Sequence, residues 1–214
     1  MDIYWLGQSC FKIKGKTATI VIDPFNPEFT GLKLPKDLDA QVALSTHSHE
    51  DHNNVAAVTG SPLVIAGPGE YEVAGVSVEG IATFHDNANG AEKGTNTAYH
   101  LLVDGINIVH LGDLGHKLTE SQLSKIDSTD ILMIPVGGKF SLDAELAVEV
   151  VAQLEPKIVI PMHYLIPELK IEGLEKVDAF LKEMGAENAE VQPKLSITRD
   201  KLPEATIVVV LSKS

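Results

Sequence analysis

Thr46-His47-Ser48-His49-Glu50-Asp51-His52 gathers three histidines and one aspartate within six positions, His47 to His52. Just before this stretch, Val42-Ala43-Leu44 reads as the end of a short buried strand. Just after it, Asn53 to Val58 reads as the start of a helix. The chemistry therefore sits where a strand stops and a helix begins. Imidazole and carboxylate are the ligands that borderline divalent metals such as zinc prefer. Side chains alternate along an extended chain, so His47 and His49 can point the same way. Asp51 and His52 follow on the turn and can reach a second position. One short segment can thus serve two neighbouring metal ions. The competing reading, a solvated loop that happens to be rich in histidine, is weakened by the further ligands downstream.

Those ligands fall at strand ends. Thr17 to Ile22 reads as a strand that stops at Asp23-Pro24. Asp23 is either a turn-former before proline or an acceptor that fixes the second ring nitrogen of a ligand histidine. Val73 to Phe84 reads as a hairpin turning at Ala74-Gly75 and ending at His85, the candidate third nitrogen ligand. The strands Thr97–Val103 and Ile106–Leu111 are joined by the strong hairpin signal Asp104-Gly105. The second of them ends at Gly112-Asp113, where glycine lets a carboxylate approach a metal closely. His110, still inside the strand, and His116, beyond the turn, read as rim or supporting residues. Lys157 to Met162 reads as a buried strand ending at His163. Lys93 lies in a loop, Ala88 to Asn96, that is too polar and too punctuated to be core.

The rest of the chain supplies the frame. Asp2–Gly7 and Cys10–Lys14 look like a first pair of strands, and Pro62–Ala66 like a buried strand. Residues 26 to 41 are irregular, a flap near the site or only a connection. Helices are expected from Thr119, a cap candidate, to Lys125, from Ala144 to Leu154, and from Ile171 to Met184. Val191–Thr198 and Ala205–Leu211 are the last expected strands. A β-meander followed by alternating strands and helices predicts an α/β fold with mixed sheets and helices outside. Asp23, His47, His85, Asp113 and His163, all at strand ends, fit one open edge, where ligand sites of layered α/β folds tend to lie.

The 214 residues, 44% hydrophobic, suffice for one sizeable core, so residues 1–214 are expected to form a single domain. The net charge is −13 and Arg199 is the only arginine. That excludes nucleic acid, whose binding draws on lysine and arginine, and an anionic membrane surface. With neither a signal-like N-terminus nor a long apolar span, a cytoplasmic protein is expected. Its expected partner is a small-molecule substrate, with a homo-oligomer left open. Cys10 stands alone, so no internal disulfide can form, and it reads as a small core residue.

Taken together, these segments resemble the metallo-β-lactamase superfamily. His47-Ser48-His49-Glu50-Asp51-His52 matches its H-x-H-x-D-H motif at every specified position, and Asp23, His85, Asp113 and His163 follow in its order. Within the superfamily the chain looks closest to a branch of small Zn-dependent hydrolases related to the L-ascorbate-6-phosphate lactonases. That likeness is carried by Gly94 to Tyr99, His110 to His116, Pro135 to Gly138 and Pro161 to Tyr164. The resemblance implies a four-layer αβ/βα sandwich with the site at one edge. It implies His47, His49 and His85 around one metal, Asp51, His52 and His163 around a second, and Asp113 bridging. Two divalent ions are implied, zinc first, with manganese or iron as alternatives.

The chemistry that follows is hydrolysis of an ester, lactone or phosphodiester. Two metals sharing a water lower its pKa to roughly 7, making a metal-bound hydroxide available at neutral pH. Asp51 would ligate and also shuttle the proton. Lys139, Lys93 or His116 could hold an anionic part of the substrate, or be plain surface residues. One rival is an iron-dependent redox enzyme on the same scaffold. His49, where diiron relatives tend to carry an acidic residue, lowers its diiron version. The other is a non-catalytic metal-binding module, which would be expected to have lost ligands.

Overall fold

The computed structural model describes residues 1–214. Runs of aromatic and β-branched residues form an antiparallel meander, β1 (Asp2–Gly7), β2 (Cys10–Lys14) and β3 (Thr19–Ile22). The short helix α1 (Pro27–Thr30) follows, and then β4 (Val42–Ser45) and β5 (Leu63–Ala66) add in parallel. The second sheet begins with β6 (Gly69–Val73), β7 (Val76–Phe84), β8 (Thr95–Val103) and β9 (Ile106–His110). It continues through α2 (Glu120–Leu123), β10 (Ile131–Pro135), α3 (Ala144–Leu154), β11 (Ile158–Met162) and α4 (Val177–Glu183). Short strands close the chain: β12 (Val191–Gln192), β13 (Leu195–Ser196), β14 (Ile207–Val208) and β15 (Val210–Leu211). The first sheet has the order β13-β1-β2-β3-β4-β5 and the second β14-β11-β10-β9-β8-β7-β6, while β12 pairs with β15. This is the expected α/β architecture of two mixed sheets with flanking helices. No helix is long and apolar enough to cross a membrane.

Side-chain alternation decides what each face of the first sheet buries. Ile20, Ile22, Val42 and Leu44 join the main core together with residues of the second sheet. Val21 and Ala43, one position out of phase, belong to a smaller core on the other face with Cys10, Phe25 and Leu38. Burial there pushes the Cys10 thiol well above its usual range, as suits a core residue.

Three expectations are corrected. Asn53 to Val58 makes only a single 3₁₀ turn, Val55–Ala57. The Asn54 amide N–H and side chain donate to the carbonyls of Pro24 and Phe25, and the Asn53 side chain to that of Ser48. These local bonds compete with a helix. β5 is an edge strand, with Leu63 and Val64 exposed and only Ile65 buried. Helix α4 starts at Val177 instead of Ile171. Gly173 takes a left-handed φ of 89°, and the segment before α4 is tied elsewhere: Leu165 N–H donates to Glu175, and Glu175 N–H to Gly137.

Two cross-links between the sheets fix the edge that bears the candidate ligands. The Tyr99 hydroxyl donates to the Ser45 carbonyl at 2.8 Å and accepts from Gly67 N–H at 3.1 Å, so β8 is bonded to the ends of β4 and β5. Thr97 N–H donates to the Thr46 carbonyl at 2.9 Å. The loop after β4 is therefore held against the second sheet just where its histidines begin.

Candidate metal centre

Asp23 organises the loop after β4. It sits at the end of β3 with a left-handed φ of 49° and is fully buried. Its carboxylate accepts from Thr46 N–H at 2.8 Å, from Thr46 Oγ1 at 2.7 Å and from His52 Nδ1 at 2.8 Å. Thr46 Oγ1, its proton given to Asp23, is left to accept from His47 Nδ1 at 3.0 Å. Of the two readings of Asp23, the acceptor that orients histidines is the one observed. Holding Nδ1 fixes the tautomer and turns Nε2 of both His47 and His52 inward.

The second sheet brings its residues one at a time. His85 follows β7, Asp113 follows β9 and His163 follows β11. Asp113 is aimed by its own N–H, which donates to Asn96 Oδ1 at 3.0 Å; Asn96 in turn donates to Thr83 and to the Leu111 carbonyl. His163 has a left-handed φ of 52°, and its N–H donates to the Gln8 carbonyl at 3.2 Å. Such strain in bulky residues persists only where the surroundings over-determine it. Two glycines make this possible by their lack of a side chain. A Cβ on Gly115 would lie 2.4 Å from the His85 carbonyl oxygen, and one on Gly137 2.2 Å from that of His163.

The result is a compact set of ligand atoms. Asp113 Oδ2 lies 3.2 Å from His85 Nε2 and 3.3 Å from both His52 Nε2 and His163 Nε2. Asp51 Oδ2 lies 3.5 Å from His52 Nε2 and from His163 Nε2. His47 Nε2 and His49 Nδ1 are 3.0 Å apart. Ligands on a tetrahedral zinc at ~2.05 Å stand about 3.3 Å from one another, so these separations are compatible with the edges of metal polyhedra. Three overlapping groups could hold an ion: His47 with His49 and His85, His47 with His52 and Asp113, and Asp51 with His52 and His163. His52 Nε2 and His163 Nε2 are buried without a well-formed hydrogen bond, a costly condition that a metal ion would relieve. The residues present fit divalent metal.

Without metal, the electrostatics are those of carboxylates crowded by imidazoles. Burial pushes the Asp113 carboxyl up, but His163 and His52 outweigh it and hold the group well below the carboxylate range. Asp51 is likewise pushed up by burial and pulled further down by His52 and His163. Burial disfavours a charged His52, yet Asp113, Asp51 and Asp23 together raise it well above its usual value. Burial, aided by the His52 charge, drags His47 down to about 2. One proton on His52 thus occupies, in the metal-free protein, a place suited to a dication.

Residues 2–163 match the family model of the β-lactamase superfamily domain. A UPF0173 metal-dependent hydrolase of Thermoplasma volcanium is 30% identical over 190 residues, covering 77% of this chain and 83% of that protein. The chain belongs to the UPF0173 metal-dependent hydrolase family of the metallo-β-lactamase superfamily. A crystal structure from Thermotoga maritima, of a candidate Zn-dependent hydrolase of this superfamily, superposes with a TM-score of 0.80 at 36% identity. It covers 98% of this chain and 97% of its own. The metallo hydrolase Igni18 of Ignicoccus hospitalis shares the fold at a TM-score of 0.67 and 20% identity, over 92% of this chain and 99% of its own.

In this UPF0173 chain all seven residues singled out as ligands, His47, His49, Asp51, His52, His85, Asp113 and His163, come together. His110 does not join them. It is buried behind the site, donates from Nε2 to the Ser9 carbonyl at 2.8 Å and accepts Gly112 N–H on Nδ1. Burial keeps it below its usual pKa, consistent with these neutral-ring bonds. His116 accepts Phe84 N–H and donates to the Lys117 carbonyl, which makes it a loop fastener. Sequence reasoning missed Gln8 and Ser9, in the turn between β1 and β2. Gln8 Nε2 donates to Asp51 Oδ2 at 3.2 Å, and Ser9 Oγ lies 3.4 Å from Asp113 Oδ1. It also missed Asn96 and Asp86. The Asp86 carboxylate takes four backbone N–H groups of its loop, Lys93 N–H first among them, which pull it down to about 2. The only sequence signal for these was polar residues inside otherwise apolar or glycine-rich runs.

Proposed function

We propose that the protein is a dinuclear metal-dependent hydrolase acting on an ester, lactone or phosphodiester of a small molecule, with zinc as its metal. His47, His49 and His85 hold one ion in this reading, Asp51, His52 and His163 the other, and Asp113 joins them. When bound, the ions supply Lewis acidity and a water acidified to roughly neutral pKa. Asp23 and Thr46 keep His47 and His52 in the tautomer that offers Nε2. Gln8 donates to Asp51 Oδ2, the oxygen that faces His52 and His163, and so holds that carboxylate in place, where it would serve as ligand and proton acceptor. Ser9 and Asn96 keep Asp113 from rotating out of its position.

The observation that carries the reading is the place of Asp113 Oδ2, within 3.2–3.3 Å of one nitrogen from the first histidine group and two from the second. Only a carboxylate can neutralise two cations at such a point. A lactone is the finer expectation, from the motif likeness to L-ascorbate-6-phosphate lactonases. The test is metal content of the purified protein, followed by rates on a panel of lactones, esters and phosphodiesters. Two equivalents of metal and metal-dependent turnover are expected; metal-replete protein inert on all three classes would refute the reading.

A further inference from the structure

Beside the ligand set opens a cavity of about 600 Å³, within the usual range for small-molecule sites. Away from the ligands its walls are Phe29, Phe140 and Ile171, with Glu50 and Glu92 as acidic members and Lys93 as the one cationic side chain. Two of the three donors of Lys93 are already engaged by its own fold. Its Nζ donates to the carbonyls of Lys139 at 3.0 Å and Phe140 at 2.8 Å. Lys139, which does not line the cavity, donates to the Glu172 carbonyl at 2.8 Å and lies over the Phe140 ring, 4.8 Å from its centroid.

These bonds have a structural consequence. The loop of residues 86–94, wound around the Asp86 carboxylate, is strapped by Lys93 to the loop after β10. That loop is strapped by Lys139 to the segment before α4. Both ammonium groups bond backbone carbonyls, and Phe140 and Ile171 line the cavity beside Lys93. Across from them Phe29 is presented by α1, whose N-cap Asn26 also bonds Glu50. A negatively charged substituent in this cavity would meet two glutamates against a single lysine, and like charges brought together are penalised.

We infer that the substrate carries an uncharged apolar group, about the size of a phenyl ring, which packs against Phe29, Phe140 and Ile171 while its scissile bond lies over the ligand set. Phe140 is the specificity residue, and Lys93 a positioning residue that sets the place of Phe140. The inference rests on the hydrolase reading for which end of the substrate reacts, but the preference itself belongs to the walls. A substrate with a phosphate remote from the scissile bond is disfavoured.

The test compares two lactams, unreactive isosteres of lactones: a δ-valerolactam bearing a benzyl group and the same ring bearing a phosphomethyl group. Dissociation constants are measured by isothermal titration calorimetry on the full chain, with saturating zinc and after zinc removal. The benzyl lactam is expected to bind at least about tenfold more tightly in both states, because a hydrophobic wall contact is worth roughly that factor. Phe140→Ala should erase most of this preference without changing metal content, and Phe140→Leu should restore part of it. Lys93→Met should weaken the benzyl lactam and leave the phosphorylated one no weaker. Tighter binding of the phosphorylated lactam, with its loss in Lys93→Met, would make Lys93 an anion anchor and overturn the inference. So would failure of the benzyl lactam to bind. A preserved benzyl preference in a protein that binds no zinc would instead defeat the hydrolase reading and leave the inference standing.

Discussion

The two halves of the candidate ligand set differ in charge, burial and support. His47, His49 and His85 offer three neutral nitrogens, and of these His49 is exposed and His47 only partly buried. Asp51, His52 and His163 are all buried and include a carboxylate. His52 is held directly by Asp23, and Asp51 by Gln8. His47 is held at one remove, through Thr46. A charged, buried and braced group is pre-organised, and pre-organisation favours binding. The second group should therefore fill first and release its ion last, with Asp113 coupling the two.

The largest effect should come from removing that coupling. Asp113→Asn keeps the shape and removes the charge, so at least one ion should be lost and hydrolysis should fall by about 10²-fold or more. Metal analysis and rates on the same preparation check this. If Asp113 were only a turn residue between Gly112 and Leu114, asparagine would serve equally well and both readings would stay at wild type. Next come the ligands of each group. His163→Ala should lower bound metal from about two to about one per chain, emptying the buried group, whereas His47→Ala should disturb the other. Unchanged stoichiometry in His163→Ala would remove that residue from the set.

Smaller effects separate bracing from ligation. Asp23→Asn touches no ion directly but loosens His52 and, through Thr46, His47. Metal affinity should fall by about 10–100-fold, more at the group containing His52, as read by competition with a chelator. Equal weakening of both groups would argue against the difference in support. The mildest effect is that of pH. In the metal-free protein His52 holds a proton that an incoming ion must displace. Below the raised pKa of His52, affinity at the buried group should rise by about tenfold per pH unit as one proton is released. His47, already neutral above pH 2 or so, should contribute no such slope to the first group. Calorimetry in buffers of different ionisation enthalpy counts the protons.

The same contrast explains what could be read from sequence. His47, His49, Asp51 and His52 lie on one short loop, so their chemistry is local and legible. His85, Asp113 and His163 were legible because strands that end in a ligand type repeat, and because the motif order resembles a known superfamily. The bracing was not legible. Gln8 and Ser9 belong to a turn 43 and 104 positions from the carboxylates they touch, and no local pattern predicts such a meeting. Asp23 carried two readings until its three donors were seen. Nothing in the sequence marks Gly115 and Gly137 as close-approach positions, yet each is needed because the carbonyl of His85 or His163 occupies the space of a side chain. The helix errors have the same origin. Asn53-Asn54 and the segment before α4 form bonds to neighbouring loops that outweigh an acceptable helical pattern.

The most direct test of a two-ion site joined by Asp113 is crystallography of the zinc-loaded protein with anomalous data collected on both sides of the zinc edge. Two peaks are expected, one among His47, His49 and His85 and one among Asp51, His52 and His163, each within about 2.0–2.2 Å of a carboxylate oxygen of Asp113. A single peak at full occupancy, or two peaks with Asp113 touching neither, would contradict it.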